Sequence, residues 1–229
     1  MSRGLFITFE GSEGCGKSTQ VQRLAARMER NRLPFLLTRE PGGTPIGEKI
    51  RDLLQFAPEG AAMRPETELL LFAASRSQLV REVIAPALGR GALVISDRFF
   101  DSTSVYQGAA RKLSPEVVER INAFAVGPCR PDITFILDVD VATARARMLR
   151  RVRPVGAPDR MEQEPVEFYE RVVAAYRELA AREPDRVRLI DGARAANEIE
   201  AEIWQILQPR ISGSPTTEDS AIREERSAI

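Results

Sequence analysis

A chain of 229 residues with 43% hydrophobic content can bury one sizeable core, and its 33 Lys and Arg exactly offset by 33 Asp and Glu leave no basic field to draw it to nucleic acid or an anionic membrane. With no histidine and only Cys15 and Cys129, it offers neither a disulfide framework nor a zinc site, so any metal would be held by oxygen. No stretch approaches the roughly 20 apolar residues of a membrane span, and a cytoplasmic protein with no membrane or nucleic-acid partner is expected.

In chain order, the apolar run "LFITF" (5–9) reads as a buried strand and is followed by a helix-period segment over 17–31. A weaker strand, "PFLLT" (34–38), precedes a helix at 45–55 and a long one at 66–88, with Pro86 near its end. The strand "ALVIS" (92–96) comes next, then a helix over 115–126 whose Ser114-Pro115-Glu116 supplies an N-cap and a first-turn proline. "ITFILDV" (133–139) is a strand, 141–151 and 165–182 are helices, "VRLID" (187–191) is a strand, and 195–208 is a helix. This alternation specifies an α/β sheet in a single domain over 1–210. The stretch 150–165 holds three prolines and several arginines and is expected to form a mobile lid, centred on about 150–163. From 211 to 229 the chain is polar and aperiodic, as a frayed tail would be.

Between the first strand and the first helix lies "GSEGCGKST", in which Gly11, Gly16, Lys17 and Ser18 match the spacing of a phosphate-binding loop in its proper context. Glycine backbones turn successive amides inward at a helix N-terminus, so Gly11, Ser12, Glu13, Gly14, Cys15, Gly16, Lys17, Ser18 and Thr19 are assigned to the phosphates of ATP. Lys17 would reach the β- and γ-phosphates, and Ser18 would offer a hydroxyl to Mg²⁺, with Asp97 at the end of the third strand as its carboxylate partner. A guanine-reading N-K-x-D run is absent, so a small kinase is the leading reading.

For the acceptor, Phe72 and Arg76 stand four residues apart on one helical face, suited to stacking on a nucleobase and donating to its carbonyl. In "SDRFFDSTSVYQG", Arg98 stands at a strand's carboxyl end, where ligands collect in open α/β sheets, and Thr103, Tyr106 and Gln107 follow in a segment rich in hydrogen-bonding groups. Arg51, after "TREPGGTP", is a second candidate for an acceptor phosphate. The phosphate loop itself is blind to the acceptor. Another nucleoside monophosphate kinase, a deoxynucleoside kinase or a triphosphate-binding regulator would carry the same loop.

Together, "FITFEGSEGCGKST", "TREPGGT", "LFAASR", "SDRFFDSTSVYQG" and "DRMEQE" resemble the successive motifs of the bacterial thymidylate kinase family, in order and spacing over roughly 4–208. The resemblance implies a P-loop kinase fold with a five-stranded parallel sheet flanked by helices, a mobile Arg-rich lid, a homodimer, and the substrates ATP and dTMP. It places Phe72 on thymine, Arg76 at its O4, and Thr103 and Gln107 along the pyrimidine edge, with Tyr106 crowding the sugar. Arg51 and Arg98 would clamp the acceptor phosphate, while Glu10, Glu40 and Asp97 would organise Mg²⁺, waters or the sugar hydroxyl. The phosphate loop carries Glu13 and no arginine, so an arginine aimed at the transferring group must come from the lid. Arg150 and Arg153 are the choices among Arg145, Arg147, Arg150, Arg151, Arg153 and Arg160.

Overall fold

The computed structural model describes residues 3–150 and 160–212. Five short strands, β1 (Phe6–Glu10), β2 (Phe35–Arg39), β3 (Leu93–Asp97), β4 (Ile133–Asp138) and β5 (Val187–Asp191), form one sheet in the order β2-β3-β1-β4-β5, every neighbouring pair parallel. All five strands expected from the apolar runs are present. The helices are α1 (Lys17–Arg30), α2 (Pro45–Gln55), α3 (Pro65–Leu79), α4 (Ala85–Gly89), α5 (Phe100–Thr103), α6 (Pro115–Val126), α7 (Val141–Arg150), α8 (Val166–Arg182) and α9 (Ala196–Ser212).

Parallel strands covered on both faces explain why β1 and β4 read as near-continuous apolar runs. Side-chain alternation still sorts them. Ile7 and Phe9 of β1 pack with Leu24 and Met28 of α1 and Ile203 and Leu207 of α9, while Phe6 joins Leu79, Ile84 and Phe99 on the opposite face. The edge strand β2 is only partly covered, which is why its apolar pattern is weaker.

On the face of Phe6 the alternate positions of the central strands are polar: Thr8, Ser96 and Thr134 are all 0% exposed. The Thr8 and Thr134 hydroxyls lie 2.7 Å apart, and Thr134 also meets an ion pair whose carboxylate is buried and whose guanidinium is largely so. In that pair Arg186 NH1 and NH2 donate to the two oxygens of Asp101 at 2.7 and 2.9 Å, pinning α5 to the sheet.

Two helical segments depart from the expected pattern. The long helix of 66–88 is interrupted by a π-helical turn over Val80–Ile84, in which the Ala85 amide donates back to Val80 O. This wider turn ends two residues before Pro86, whose missing N–H and bulky ring oppose ordinary helical hydrogen bonding. The segment 100–110, not read as helix, forms α5 and a π-helical continuation over Ser104–Ala110. Its serines and threonine are poor helix formers. Its first amides are instead satisfied from β1, because Glu10 Oε1 accepts from the amides of Phe99 at 2.8 Å and Ser102 at 3.2 Å. At the far end, α9 continues through Ser212 with Pro209 inside it, so Ile211 and Ser212 are helical rather than part of a tail. The remaining tail residues and the central part of the expected lid, 151–159, lie outside the described residues. Among the described residues no helix is long and apolar enough to cross a membrane.

Candidate active site

The chain passes from one side of β1 to the other between β3 and β4, and the crevice above the carboxyl ends of β1 and β3 is where an open α/β sheet binds ligands. A cleft of about 760 Å³ opens there, within the size range of nucleotide-binding pockets.

At one end lies the glycine-rich loop. Gly16 caps α1 in the left-handed region at φ 100°, and Gly11, at φ 134°, would place a Cβ only 2.6 Å from Leu137 O, so both positions demand glycine. Lys17 is 7% exposed, and its Nζ donates to Gly11 O at 2.8 Å and Ser12 O at 3.0 Å, which holds the ammonium inside the loop. Gly14, Gly16, Lys17, Ser18 and Thr19 line the cleft, whereas Cys15 lines a smaller adjoining recess of about 250 Å³. Ser18 Oγ donates to Asp97 Oδ2 at 2.8 Å, bringing two hard oxygen donors together beside Lys17. No group of three or more candidate metal ligands from Cys, Asp and Glu occurs among the described residues. That donor set suits Mg²⁺, which commonly takes one or two protein oxygens and completes its shell with water and phosphate.

Arg98 stands at the middle of the cleft. Its φ of 70° is rare for a non-glycine residue and costs of the order of 1 kcal/mol, held in place by Arg98 N donating to Phe9 O and Ser96 Oγ donating to Arg98 O. The bend turns its guanidinium back to the phosphate loop, where NH2 donates to Glu13 Oε1 at 2.6 Å and NH1 to Gly11 O and Ser102 Oγ. Burial alone would weaken its charge, but Tyr106, Glu13, Tyr176 and Glu10 reverse that and lift the pKa well above the usual value, so it remains a cation. Tyr106 donates to Glu13 Oε2 at 2.7 Å and has its own pKa raised by burial, so it stays a neutral phenol.

At the far end Phe72, half-buried, lines the cleft with Thr103, Tyr106 and Gln107. Arg51 also lines it and donates to Pro41 O at 3.0 Å. Arg76 does not line it. It is 1% exposed, with Nε and NH2 on Glu40 Oε2 at 2.8 and 2.7 Å, NH2 on Thr103 Oγ1 at 2.9 Å, and NH1 on Asn122 at 3.0 Å. The helical spacing that put Arg76 beside Phe72 holds, but the guanidinium is drawn inward by a buried carboxylate. Glu10, expected at the metal or sugar, is likewise absent from the cleft lining. It is 0% exposed, and besides the two amides it accepts from Ser102 Oγ at 2.5 Å and Tyr176 OH at 2.8 Å, so its oxygens are committed to holding α5.

Of the lid arginines, Arg150 lines the cleft and Arg147 lines both the cleft and the smaller recess, its NH1 donating to Gly192 O at 2.8 Å. Arg160 is bound to Leu54 O and Glu68. Arg151 and Arg153 fall outside the described residues. The sequence reading missed Glu68, whose buried carboxylate binds Gln107, Arg111 and Arg160. Its position four residues before Phe72 on the same helix was the available signal.

Glu40 gives the site a pH dependence. It lines the cleft yet is 5% exposed; one oxygen binds Arg76 and the other, Oε1, has no partner among the described residues. Burial pushes its pKa up to about 7 from 4.5, against the pull of Arg76. Between those values the folded state holds this proton more tightly than the unfolded chain, so the contribution to stability is full at low pH and is lost as pH rises through about 7. From pH 5 to 8 the loss amounts to about 2 kcal/mol. Denaturant unfolding at a series of pH values should therefore show wild type losing stability across this window relative to Glu40→Gln, and parallel curves would remove Glu40 as their source.

An all-parallel sheet of this order, with a glycine-rich loop after β1, a lysine held within it and an aspartate at the carboxyl end of β3, defines a phosphate-binding-loop protein equipped for phosphoryl transfer. A family model described as thymidylate kinase matches residues 9–203. Thymidylate kinases of Deinococcus radiodurans and Geobacter sulfurreducens are 45% and 46% identical to this chain, covering 92% and 91% of it and 99% and 98% of the relatives. A crystal structure of thymidylate kinase from Ehrlichia chaffeensis is similar with a TM-score of 0.72 at 34% identity, covering 90% of this chain and 99% of that one. The chain belongs to the thymidylate kinase family.

Proposed function

We propose that this protein transfers the γ-phosphoryl group of ATP to dTMP, forming dTDP for dTTP synthesis. The observation that carries the reading is the continuity of the cleft: Gly16, Lys17 and Ser18 line one end, Phe72, Thr103 and Gln107 the other, and Arg98 lies between them. ATP phosphates would sit on the loop amides of residues 11–19 and on Lys17, with the donor nucleoside in the smaller recess beside Cys15, Thr19 and Arg194. Thymine would stack on Phe72, with Thr103 and Gln107 at its edge. Arg76 would act from beneath, through its bond to Thr103, and Tyr106 would close off the sugar.

Arg98 and Arg51 would hold the acceptor phosphate. Its oxygen is already anionic near neutral pH, so no protein base is required and the absence of histidine is immaterial. Charge neutralisation is the difficulty: two unit charges 4 Å apart repel by about 4 kcal/mol at an effective dielectric of 20. Lys17, Arg98 and the lid-side Arg150 supply cations along the line of transfer, and Arg153 remains part of the proposal as a residue outside the described set. Ser18 and Asp97 would hold Mg²⁺, which when bound supplies further neutralisation of the phosphate oxygens. Glu10 is left out of the metal set because its oxygens already serve α5.

The same reading includes one kinase domain over 1–210, a homodimer and a cytoplasmic setting without nucleic-acid partners. Exposed Ile46, Leu70, Val117 and Phe124 on α2, α3 and α6, of which α3 packs against both α2 and α6, support self-association, and two buried free cysteines fit a reducing compartment. A panel of dTMP, dUMP, CMP, AMP and thymidine, followed by ADP release, tests the function. ADP should form with dTMP as the preferred acceptor; preference for thymidine would refute the phosphate clamp, and ADP release independent of any acceptor would refute transfer.

A further inference from the structure

Glu68 lies in α3 one turn before Phe72 and is 1% exposed. Its Oε1 accepts from Gln107 Nε2 at 2.7 Å and Arg111 Nε at 3.3 Å; its Oε2 accepts from Arg111 NH2 at 3.2 Å and Arg160 NH2 at 2.5 Å. Burial would raise its pKa, but Gln107, Arg111 and Arg160 together bring it below the ordinary value. It is therefore a carboxylate, with acceptor atoms only. An amide facing such a group must turn its NH₂ end towards it, which settles the orientation of Gln107 on chemical grounds.

The other branch of that amide, Gln107 Oε1, receives no hydrogen bond from any described residue, while Gln107 lines the cleft with Phe72 and Thr103. We infer that Glu68 is a positioning residue that makes Gln107 an obligate acceptor towards the cleft, so that the pocket takes a pyrimidine carrying an N3–H, thymine or uracil, and rejects cytosine. Unmodified cytosine presents a bare N3, an acceptor facing an acceptor. This inference rests on the proposed placement of dTMP against Phe72 and Gln107. It goes further in assigning base selection to a residue that touches no substrate.

Glu68→Gln is the informative variant. Its single carbonyl would be held by Arg111 and Arg160, leaving its NH₂ towards Gln107, which would then turn over and offer a donor to the cleft. The ratio of kcat/KM for dTMP to that for dCMP should fall by at least about tenfold, with the dTMP to dUMP ratio unchanged because both carry the N3–H. Glu68→Asp, which keeps the carboxylate, should retain the wild-type ratio even if both rates decline. A purely structural role for Glu68 predicts that dTMP and dCMP turnover fall by the same factor in Glu68→Gln, and that result would overturn the inference while leaving dTMP kinase activity of the wild type intact. Should Glu68→Gln fail to fold by circular dichroism, wild type decides through N3-methyl-dTMP. Affinity reduced at least about tenfold relative to dTMP supports an acceptor at Gln107, and equal affinity contradicts it.

Discussion

Lys17→Ala is expected to abolish turnover, with kcat reduced by about a thousandfold or more, equivalent to about 4 kcal/mol. Lys17 Nζ is held inside the phosphate loop by its bonds to Gly11 O and Ser12 O, so its charge is in place before either substrate arrives. Removing it leaves the loop amides to bind phosphate, but nothing at that point offsets the charge that collects as two anions are brought together. Because Nζ also braces the loop, far-ultraviolet circular dichroism and the melting temperature must accompany the assay. A folded Lys17→Ala protein that retains more than a tenth of wild-type kcat would remove Lys17 from the mechanism.

Asp101→Ala should cost about 3 kcal/mol of unfolding free energy, the lower part of the range for breaking a buried ion pair. Asp101 is 0% exposed and takes both nitrogens of Arg186, so its loss leaves a guanidinium facing Thr134 and the polar seam of the sheet. The cost stays at the low end because Glu183 also accepts from Arg186, at 2.9 Å, and the Phe100 ring lies 5.2 Å from its guanidinium carbon. Urea unfolding midpoints measured with unchanged m-values would give the number. A loss below about 1 kcal/mol would mean that the pair adds little beyond what solvent or Glu183 supplies.

The sheet and the phosphate loop were legible because each is written locally: five apolar runs, and a glycine spacing between a strand and a helix. The assignment of Phe72, Thr103, Tyr106 and Gln107 to one cleft could be read from their segments, and these residues do come together. What sequence could not give was the choice of partners. The family resemblance pointed to Glu10 as a group for Mg²⁺, waters or the sugar, yet the amides that need it belong to Phe99 and Ser102. Those amides lie far along the chain, beyond two further strands. Arg76 looked available because helical spacing fixes a face but not the depth at which a long side chain ends, and Glu40 holds it inside. The helix at 100–110 escaped notice for the related reason that its stability comes from Glu10 and the Asp101–Arg186 pair, not from its own propensities.

A crystal structure with dTMP and a nonhydrolysable ATP analogue tests most directly whether the two phosphate groups meet in one cleft. The expected result is thymine against Phe72, the acceptor phosphate within hydrogen-bonding distance of Arg98, and the γ-phosphate at Lys17 in line with it. Thymine found away from Phe72, or the two phosphates bound in separate sites with Arg98 touching neither, would contradict the account.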